Sequence, residues 1–333
     1  MNEFELIERF FARSMPAGGI VRCGVGDDCA LLEHGDRLLA ITTDMLLEGR
    51  HFLPGADPDA LGHKSLAVNL SDLAAAGATP RAFQLALALP RADETWLEGF
   101  CRGLFRLADQ YGCALAGGDT TRVPRLAASP SVAVDGPLTI CITALGELPM
   151  EAARTRGGAR RGDDLWVSGT LGDARAALAW RRGELPAVCA EPAASFIEKM
   201  DRPSPRVALG IALRGLATAA IDVSDGLLGD LGHVLQRSGV GAVVEWESVP
   251  RSAALRGLAT ERQQQFALTG GDDYELLFTA APERRAEVES EATAAATTVA
   301  RIGRIVNAVD GLCVRDGQGR RLALPWRSFN HFG

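Results

Sequence analysis

The chain has 333 residues, of which 47% are hydrophobic, and its formal net charge is −7. This length predicts two domains, and an acidic balance without a basic stretch argues against nucleic acid as a partner. No apolar run approaches the roughly 20 residues that a membrane helix needs, and the acidic N-terminus lacks a signal-peptide pattern. Seven scattered cysteines without a CxxC pair argue against structural zinc and disulfides. We therefore expect a cytoplasmic enzyme that binds neither membranes nor nucleic acid.

The first half of the chain places oxygen-bearing side chains after apolar segments. A glycine loop at residues 23–30, CGVGDDCA, holds Asp27 and Asp28, but it lacks the third glycine of a GxGxxG fingerprint. A predicted strand at residues 37–45 ends in TTD, whose oxygen groups suit metal or phosphate and also occur in ordinary strand-end turns. His51 follows next to a phenylalanine, and a single histidine in such a position more often packs against its neighbours than takes part in a functional site.

The stretch at residues 62–80, GHKSLAVNLSDLAAAGATP, is predicted to be a buried helix that ends in its GATP segment. Its one polar stripe consists of the short side chains of Ser65, Asn69 and Asp72, and Lys64 lies off this stripe. A solvated helix face normally carries long charged side chains, so the stripe indicates a face turned into a site. For Asp72 taken alone, an ordinary satisfied polar residue is an equal alternative.

The best domain boundary is the Gly- and Arg-rich segment at residues 149–163. It separates a predicted N-terminal metal- and ATP-binding α/β sheet domain, residues 1–148, from a C-terminal α+β domain, residues 149–333. Each half contains an apolar run into GGD, ALAGGDT at 114–120 and ALTGGDD at 267–273, and both runs are predicted to be strands. The predicted fold class is therefore α+β with two domains.

Aspartates end or follow apolar segments at nine positions, more than routine turn chemistry accounts for. They are Asp27, Asp28, Asp44, Asp72, Asp119, Asp222, Asp225, Asp272 and Asp273. Clustered carboxylates repel unless cations neutralise them, and hard oxygen ligands without His or Cys favour magnesium, usually bound together with phosphate. A GxxxxGK[ST] loop is absent, and only two lysines are present. Arg156 is therefore the arginine expected to meet phosphate, with a solvated linker charge as its alternative.

Eight motifs, in order from residue 24 to residue 332, resemble those of the thiamine-monophosphate kinase family, within the aminoimidazole-ribonucleotide-synthase-like ATP-binding superfamily. They are GVGDDCA, TTDMLLEGRHF, GHKSLAVNLSDLAAAGATP, GGDTT, TRGGARRGD, IDVSDGL, GGDDYELLF and FNHF. The resemblance covers nearly the whole chain, and the ordered set is specific although each motif alone is weak. It implies a homodimer packed through the N-terminal domain, an active site between two α+β domains, and transfer of the γ-phosphate of ATP to thiamine monophosphate.

The resemblance also implies roles for individual residues. Magnesium would be bound by Asp27, Thr42, Thr43, Asp44, Asp72, Asp119, Asp222 and Asp225. Catalysis would depend on Asp44, Asp72, Asp119 and Asp225. The nucleotide would contact Gly118, Asp119, Arg156 and Ser224. Thiamine monophosphate would contact His51, Phe329 and one of the acids Asp272 and Asp273.

Two departures from the family pattern affect these roles. The family often has Glu where Asp272 stands, so the choice between the two acids of GGDD stays open. Residues 125–135, rich in Ala, Ser and Pro, are an insertion near the nucleotide side and are predicted to be a mobile loop.

Other functions remain as alternatives. A selenophosphate- or purine-synthase-like enzyme of the same superfamily would use other substrates, and the former carries an N-terminal Cys with a nearby lysine, whereas no lysine precedes Lys64. A magnesium-dependent phosphatase and a non-catalytic nucleotide-binding subunit come from other classes. The kinase fits the residues present because its acceptor phosphate, with a second pKa of about 6, is already anionic and needs no strong base.

Overall fold

The computed structural model describes residues 3–13, 18–129, 132–185, 190–326 and 328, and there the chain forms two six-stranded sheets, a hairpin and ten α-helices. The strands are β1 (Val21–Cys23), β2 (Ala30–His34), β3 (Arg37–Leu47), β4 (Thr79–Leu89), β5 (Ala114–Arg122), β6 (Arg125–Ser129), β7 (Val132–Asp135), β8 (Thr139–Pro149), β9 (Asp164–Ser168), β10 (Ala217–Asp222), β11 (Val240–Glu245), β12 (Leu276–Ala280), β13 (Val299–Asn307) and β14 (Leu312–Arg315). The helices are α1 (Glu3–Phe10), α2 (Pro58–Ala76), α3 (Glu94–Tyr111), α4 (Asp173–Arg181), α5 (Ala190–Asp201), α6 (Val207–Ala212), α7 (Leu227–Ser238), α8 (Ala253–Arg256), α9 (Thr260–Thr269) and α10 (Arg285–Ala294).

The first sheet has the strand order β1-β2-β3-β8-β4-β5, and its only parallel pair is β4–β5. Its longest pairing joins β3 and β8 over eleven residue pairs, from Arg37 opposite Pro149 to Leu47 opposite Thr139. One face is covered by α2, which contacts both of these strands. The opposite face, here called the open face, carries Met45 with 57% of its surface exposed. All nine residues of the edge strand β5 are exposed.

Helix α2 is buried on nearly every side, as its apolar pattern predicts. It begins after Asp57, whose carboxylate accepts two backbone N–H groups of the first turn, both at 3.3 Å. It ends at Gly77, whose φ of 72° is a left-handed conformation that glycine adopts without steric cost. A Cβ atom at Gly62 would lie 2.0 Å from the carbonyl oxygen of Phe100 in α3, so this close helix packing requires glycine.

The second sheet has the strand order β10-β12-β9-β13-β11-β14. One face packs on the apolar sides of α4, α5, α7 and α9 and forms a core of its own. On the opposite face, Trp166 and Phe278 stack with their ring centroids 6.3 Å apart. These two rings, together with Leu276 and Val288, belong to the same apolar cluster as Leu66 and the rest of α2. The core of the N-terminal sheet therefore continues into the C-terminal half.

The fold class is the predicted one, α+β with sheets on either side of residues 149–163, but two local predictions are wrong. Within the predicted mobile loop at residues 125–135, residues 125–129 and 132–135 instead form the antiparallel strands β6 and β7, with Arg125 opposite Asp135, because two short extended segments satisfy each other's backbone hydrogen bonds. The run ALTGGDD does not begin as a strand, since its first three residues end α9 after a segment rich in helix-forming Glu, Arg and Gln.

None of the helices within the described ranges combines the length and the apolarity that spanning a membrane demands.

Candidate active site

Three carboxylates meet where α2 lies between the two halves of the chain. One oxygen each of Asp28, Asp72 and Asp222 lies within 4.8 Å of the others. Asp28 comes from the glycine loop, Asp72 from α2 and Asp222 from the end of β10, so the group draws on both halves. Asp28 and Asp222 are buried, and Asp72 is half-buried. Three hard oxygen ligands at this spacing, without a His or Cys ligand, fit a magnesium ion.

Hydroxyl and guanidinium groups surround these carboxylates. The Ser71 hydroxyl donates to Asp222 at 2.6 Å, and the Thr42 hydroxyl donates to Asp72. Arg156 donates to Asp28 Oδ1 from Nε at 3.1 Å and from Nη2 at 2.5 Å. Its backbone N–H also donates to the adjacent aspartate of the glycine loop at 3.1 Å. Arg156 is therefore no solvated linker charge, because it binds both aspartates of GVGDD.

Burial and mutual repulsion raise the pKa values of the acids in and around this group. Burial and the charge of Asp28 raise the pKa of Asp27 to about 6 and the pKa of Asp222 to about 8. Burial, with the charges of Asp28 and Asp225, raises the pKa of Asp44 to about 6. The pKa of Asp72 is also raised well above its usual range, by burial and by the neighbouring carboxylates. Without a cation these carboxyl groups therefore release their protons at higher pH than free aspartates do, and Asp222 is still mostly protonated at neutral pH.

These raised pKa values predict a pH-dependent effect of magnesium on stability. The folded protein retains protons that the unfolded chain, with aspartate pKa values of about 3.9, has already released. Metal-free stability should therefore fall as pH rises from about 4 to 8, and magnesium, which replaces those protons, should stabilise more at pH 8 than at pH 6. Thermal unfolding with and without MgCl₂ at both pH values checks this. An equal magnesium-induced shift at pH 6 and pH 8 would contradict it.

Asp225 lies at the start of α7, close enough to Asp44 for its charge to raise the pKa of that acid. The backbone N–H groups of Asp225 and Gly226 donate to the carboxylate of Asp230 at 3.1 and 3.0 Å. Asp230 is buried, and burial raises its pKa well above the usual range. Asp230 was not among the residues predicted for the site, although an acid in the first turn of the helix after SDGL is a visible signal.

Asp119 is not brought to this group. In β5 it lies opposite Ala86, which lies opposite Cys141 in β8, which in turn lies opposite Met45 in β3. Residues in register project from the same face, so Asp119 and Met45 share the open face. Asp44 is the neighbour of Met45 along β3 and therefore projects from the opposite face. Three strand spacings of about 4.8 Å, or roughly 14 Å, also separate β3 from β5.

The residues expected to contact nucleotide or substrate have well-defined surroundings. Gly118 must be glycine, because a Cβ atom there would lie 1.8 Å from the carbonyl oxygen of Leu85. The backbone carbonyl of Ser224 accepts the N–H of Asp272 at 2.7 Å. His51 Nδ1 accepts a backbone N–H of β3 at 2.9 Å, which leaves the ring proton on Nε2. Phe329 lies outside the described residues.

The two acids of GGDD have different partners. Asp272 has a φ of 73° and forms an ion pair with Lys64 of α2. The Lys64 ammonium group also donates to the carbonyl oxygen of Met200 at 2.9 Å. Asp273 accepts the backbone N–H of Gly172 at 2.9 Å. Lys64 lies off the polar stripe and was not predicted to be a site residue, yet it is buried and links the two halves of the chain.

Known protein families match the two halves of the chain separately. Family profiles of AIR synthase related proteins match twice, the N-terminal domain over residues 26–148 and the C-terminal domain over residues 160–312. The chain is 44% identical to the thiamine-monophosphate kinase of Escherichia coli (strain K12), over 99% of this chain and 98% of that protein.

Solved structures with the same architecture include two that cover nearly the whole chain. The thiamine-monophosphate kinase from Stenotrophomonas maltophilia K279a is 44% identical, with a TM-score of 0.76 over 96% of this chain and 98% of that chain. AaThiL complexed with AMPPCP and TMP is 30% identical, with a TM-score of 0.81 over 99% of this chain and 97% of that chain.

Proposed function

This chain belongs to the thiamine-monophosphate kinase family of the AIR synthase related proteins, and we propose that it transfers the γ-phosphate of ATP to thiamine monophosphate, giving thiamine diphosphate. The main observation behind this proposal is the group of three carboxylates, Asp28, Asp72 and Asp222, which both halves of the chain contribute. Arg156 donates hydrogen bonds to Asp28 of this group. The proposal is supported further by the relative AaThiL, which is complexed with an ATP analogue and with TMP.

The residues of this site fit magnesium, and we propose that Asp28 joins the set predicted from the sequence. That set is Asp27, Thr42, Thr43, Asp44, Asp72, Asp119, Asp222 and Asp225. Magnesium bound there would neutralise the charge of the phosphate oxygens. Ser71 and Thr42 orient two of the carboxylates through their hydroxyl groups. Phosphoryl transfer depends mainly on alignment and charge neutralisation, which this arrangement offers.

Nucleotide and acceptor would approach this group from two sides. We propose that Gly118, Asp119, Arg156 and Ser224 contact ATP. The acceptor would contact His51, Phe329 and one of the acids Asp272 and Asp273. Because Asp272 is already neutralised by Lys64, it would serve as a hydrogen-bond acceptor for the aminopyrimidine, and it would contribute little to charge attraction.

A non-catalytic nucleotide-binding subunit and a synthase of the same superfamily are the competing functions. ATP-to-ADP conversion measured with and without thiamine monophosphate distinguishes them. The proposed kinase should form ADP and thiamine diphosphate in equal amounts, and only when thiamine monophosphate is present. A phosphatase would release inorganic phosphate, whereas a binding subunit, or a synthase without its own acceptor, would form no thiamine diphosphate.

We further propose that a second copy of the chain covers the open face of the first sheet. Met45 on that face is 57% exposed, and the neighbouring edge strand β5 is exposed along its whole length, whereas monomers rarely leave such sheet faces uncovered. Asp119 also projects from this face, away from Asp44. Thr43 of the proposed metal set lies two residues before Met45 and projects from the same open face, so a homodimer would bring Asp119 of the second copy to the Thr43 side of the metal site.

Mixing two inactive variants tests this arrangement. Asp72→Asn and Asp119→Asn should each be inactive as pure dimers. In a mixed dimer one site would receive both native aspartates, so equal mixing with random exchange should restore about a quarter of the parental activity. Light scattering should give twice the mass of one chain. A dimer without any restored activity would place Asp119 in a role within its own subunit.

We also propose that the boundary between the two domains lies between residues 148 and 149. We propose in addition that the protein is cytoplasmic. The first sheet ends with β8 at Pro149 and the second begins with β9 at Asp164, which supports a boundary within this segment. The six described cysteines are free thiols, as is usual for proteins of a reducing compartment.

A further inference from the structure

A cavity with an arginine-rich lining lies at the end of the second sheet formed by β13, β11 and β14, outside the carboxylate group of the active site. It has a volume of about 440 Å³ and opens between β11, β13, β14 and the turn that follows β14. Its charged lining residues are Arg304, Arg315, Arg321 and Asp310. Three guanidinium groups against one carboxylate give the cavity a formal charge of +2, in a chain whose net charge is −7.

The backbone of the fold holds these arginines together. Arg315 and Arg321 lie directly opposite each other in an antiparallel bridge. Arg304 of β13 is in register with Val243 of β11, which is in register with Cys313 of β14, so Arg304 shares the face of these residues. Within the described part of the chain, no carboxylate oxygen lies within 4.0 Å of any of these three guanidinium groups. Like charges directly opposite destabilise a strand pair, so this arrangement favours an anion between them.

Hydrogen bonds within the turn after β14 also fix one wall of the cavity before any ligand binds. In the turn after β14, Asp316 Oδ1 accepts the backbone N–H groups of Gln318 and Arg320 at 3.0 and 2.9 Å. Its other oxygen accepts the Arg320 side chain at 2.8 Å. Arg321 Nη2 donates to the carbonyl oxygen of Leu312 at 3.4 Å. The turn therefore holds Arg321 over the cavity without using Arg320 as a lining residue.

We propose that this cavity binds a small anion that carries a diphosphate group. Guanidinium groups bind phosphate oxygens through paired, charge-assisted hydrogen bonds, and a diphosphate offers enough oxygens for three arginines. The volume lies within the range of small-molecule sites and exceeds the needs of a single phosphate. None of the lining residues belongs to the carboxylate group or its neighbours, so this binding does not depend on the proposed kinase activity.

Isothermal titration calorimetry with inorganic pyrophosphate tests the proposal, in EDTA so that no magnesium bridges pyrophosphate to the carboxylate site. The parent protein should bind one pyrophosphate per chain, and the variant with Arg315→Gln and Arg321→Gln should bind at least tenfold more weakly. Arg256→Gln is the matched control, since it removes one exposed positive charge from α8 and should leave binding unchanged.

Thermal unfolding supplies an independent measurement. Without pyrophosphate the double variant should melt no lower than the parent, because it removes a like-charge pair. With pyrophosphate the parent should gain stability and the double variant should not. If the double variant does not fold, Arg304→Gln replaces it with the same expectation. No binding by the parent, binding unchanged in the variants, or equal weakening by Arg256→Gln would each overturn the proposal.

Discussion

We expect Asp72→Asn to lower kcat by about 10²–10³-fold, the effect typical of losing one group that stabilises transition-state charge, with no loss of stability. Asp72 shares its site with Asp28 and Asp222, and burial and these neighbours raise its pKa. The neutral amide removes that repulsion and can still accept the hydrogen bond from Thr42. Steady-state kinetics at saturating magnesium and thermal unfolding in EDTA measure the two effects.

Asp59→Asn is the matched control on the same helix. Asp59 is buried, and its carboxylate binds Arg102, Arg106 and Arg202 at 2.7–2.8 Å. Because these arginines hold the pKa of Asp59 below its usual range, the amide should lower the melting temperature by several degrees and leave kcat of the folded protein unchanged. If Asp72→Asn also melted lower and kept its kcat, Asp72 would be a structural residue like Asp59.

Lys64→Met should destabilise the protein by about 2–3 kcal/mol, as expected when one partner of a buried ion pair is removed. The full range for buried pairs is higher, but a third of the Asp272 side chain remains exposed to solvent. The variant removes the Lys64 partner of Asp272, whose backbone conformation, φ 73°, already disfavours non-glycine residues. Urea unfolding measures the loss, and the KM for thiamine monophosphate should rise more than the KM for ATP.

A double variant separates pairing from packing. If the cost of Lys64→Met comes from the unpaired carboxylate, adding Asp272→Asn should restore most of the lost stability. If the double variant stays as unstable as Lys64→Met alone, the lysine contributes mainly through its hydrogen bond to Met200 and the packing of its methylene stem.

Local patterns predicted the features that local chemistry determines. The apolar run and Gly77 predicted α2 and its end, and the lack of long charged side chains in its polar stripe singled out Asp72 as a candidate site residue. The pair between Asp28 and Arg156, separated by 128 residues, depends on tertiary contacts that no pattern along the chain encodes. The position of Asp119 depends on strand order, because β8, late in the sequence, inserts between β3 and β4.

The similarity between the two GGD runs led to a wrong strand prediction for a related reason. The two runs have similar sequences, but ALAGGDT lies in the edge strand β5, whereas ALT forms the last three residues of α9 and GGDD follows that helix. A three-residue apolar lead-in fits either conformation, and residues further upstream decide between them.

The apolar cluster that joins α2 to Trp166 and Phe278 has a consequence for how the molecule could be dissected. The two family profiles match separate parts of the chain, and both parts contribute residues to that cluster. If either half were expressed alone, part of this apolar cluster would be exposed to water. The aspartates of the carboxylate group, which come from both halves, would be separated as well. Although two family profiles match the chain, we expect both halves to lose their structure together, in a single calorimetric transition.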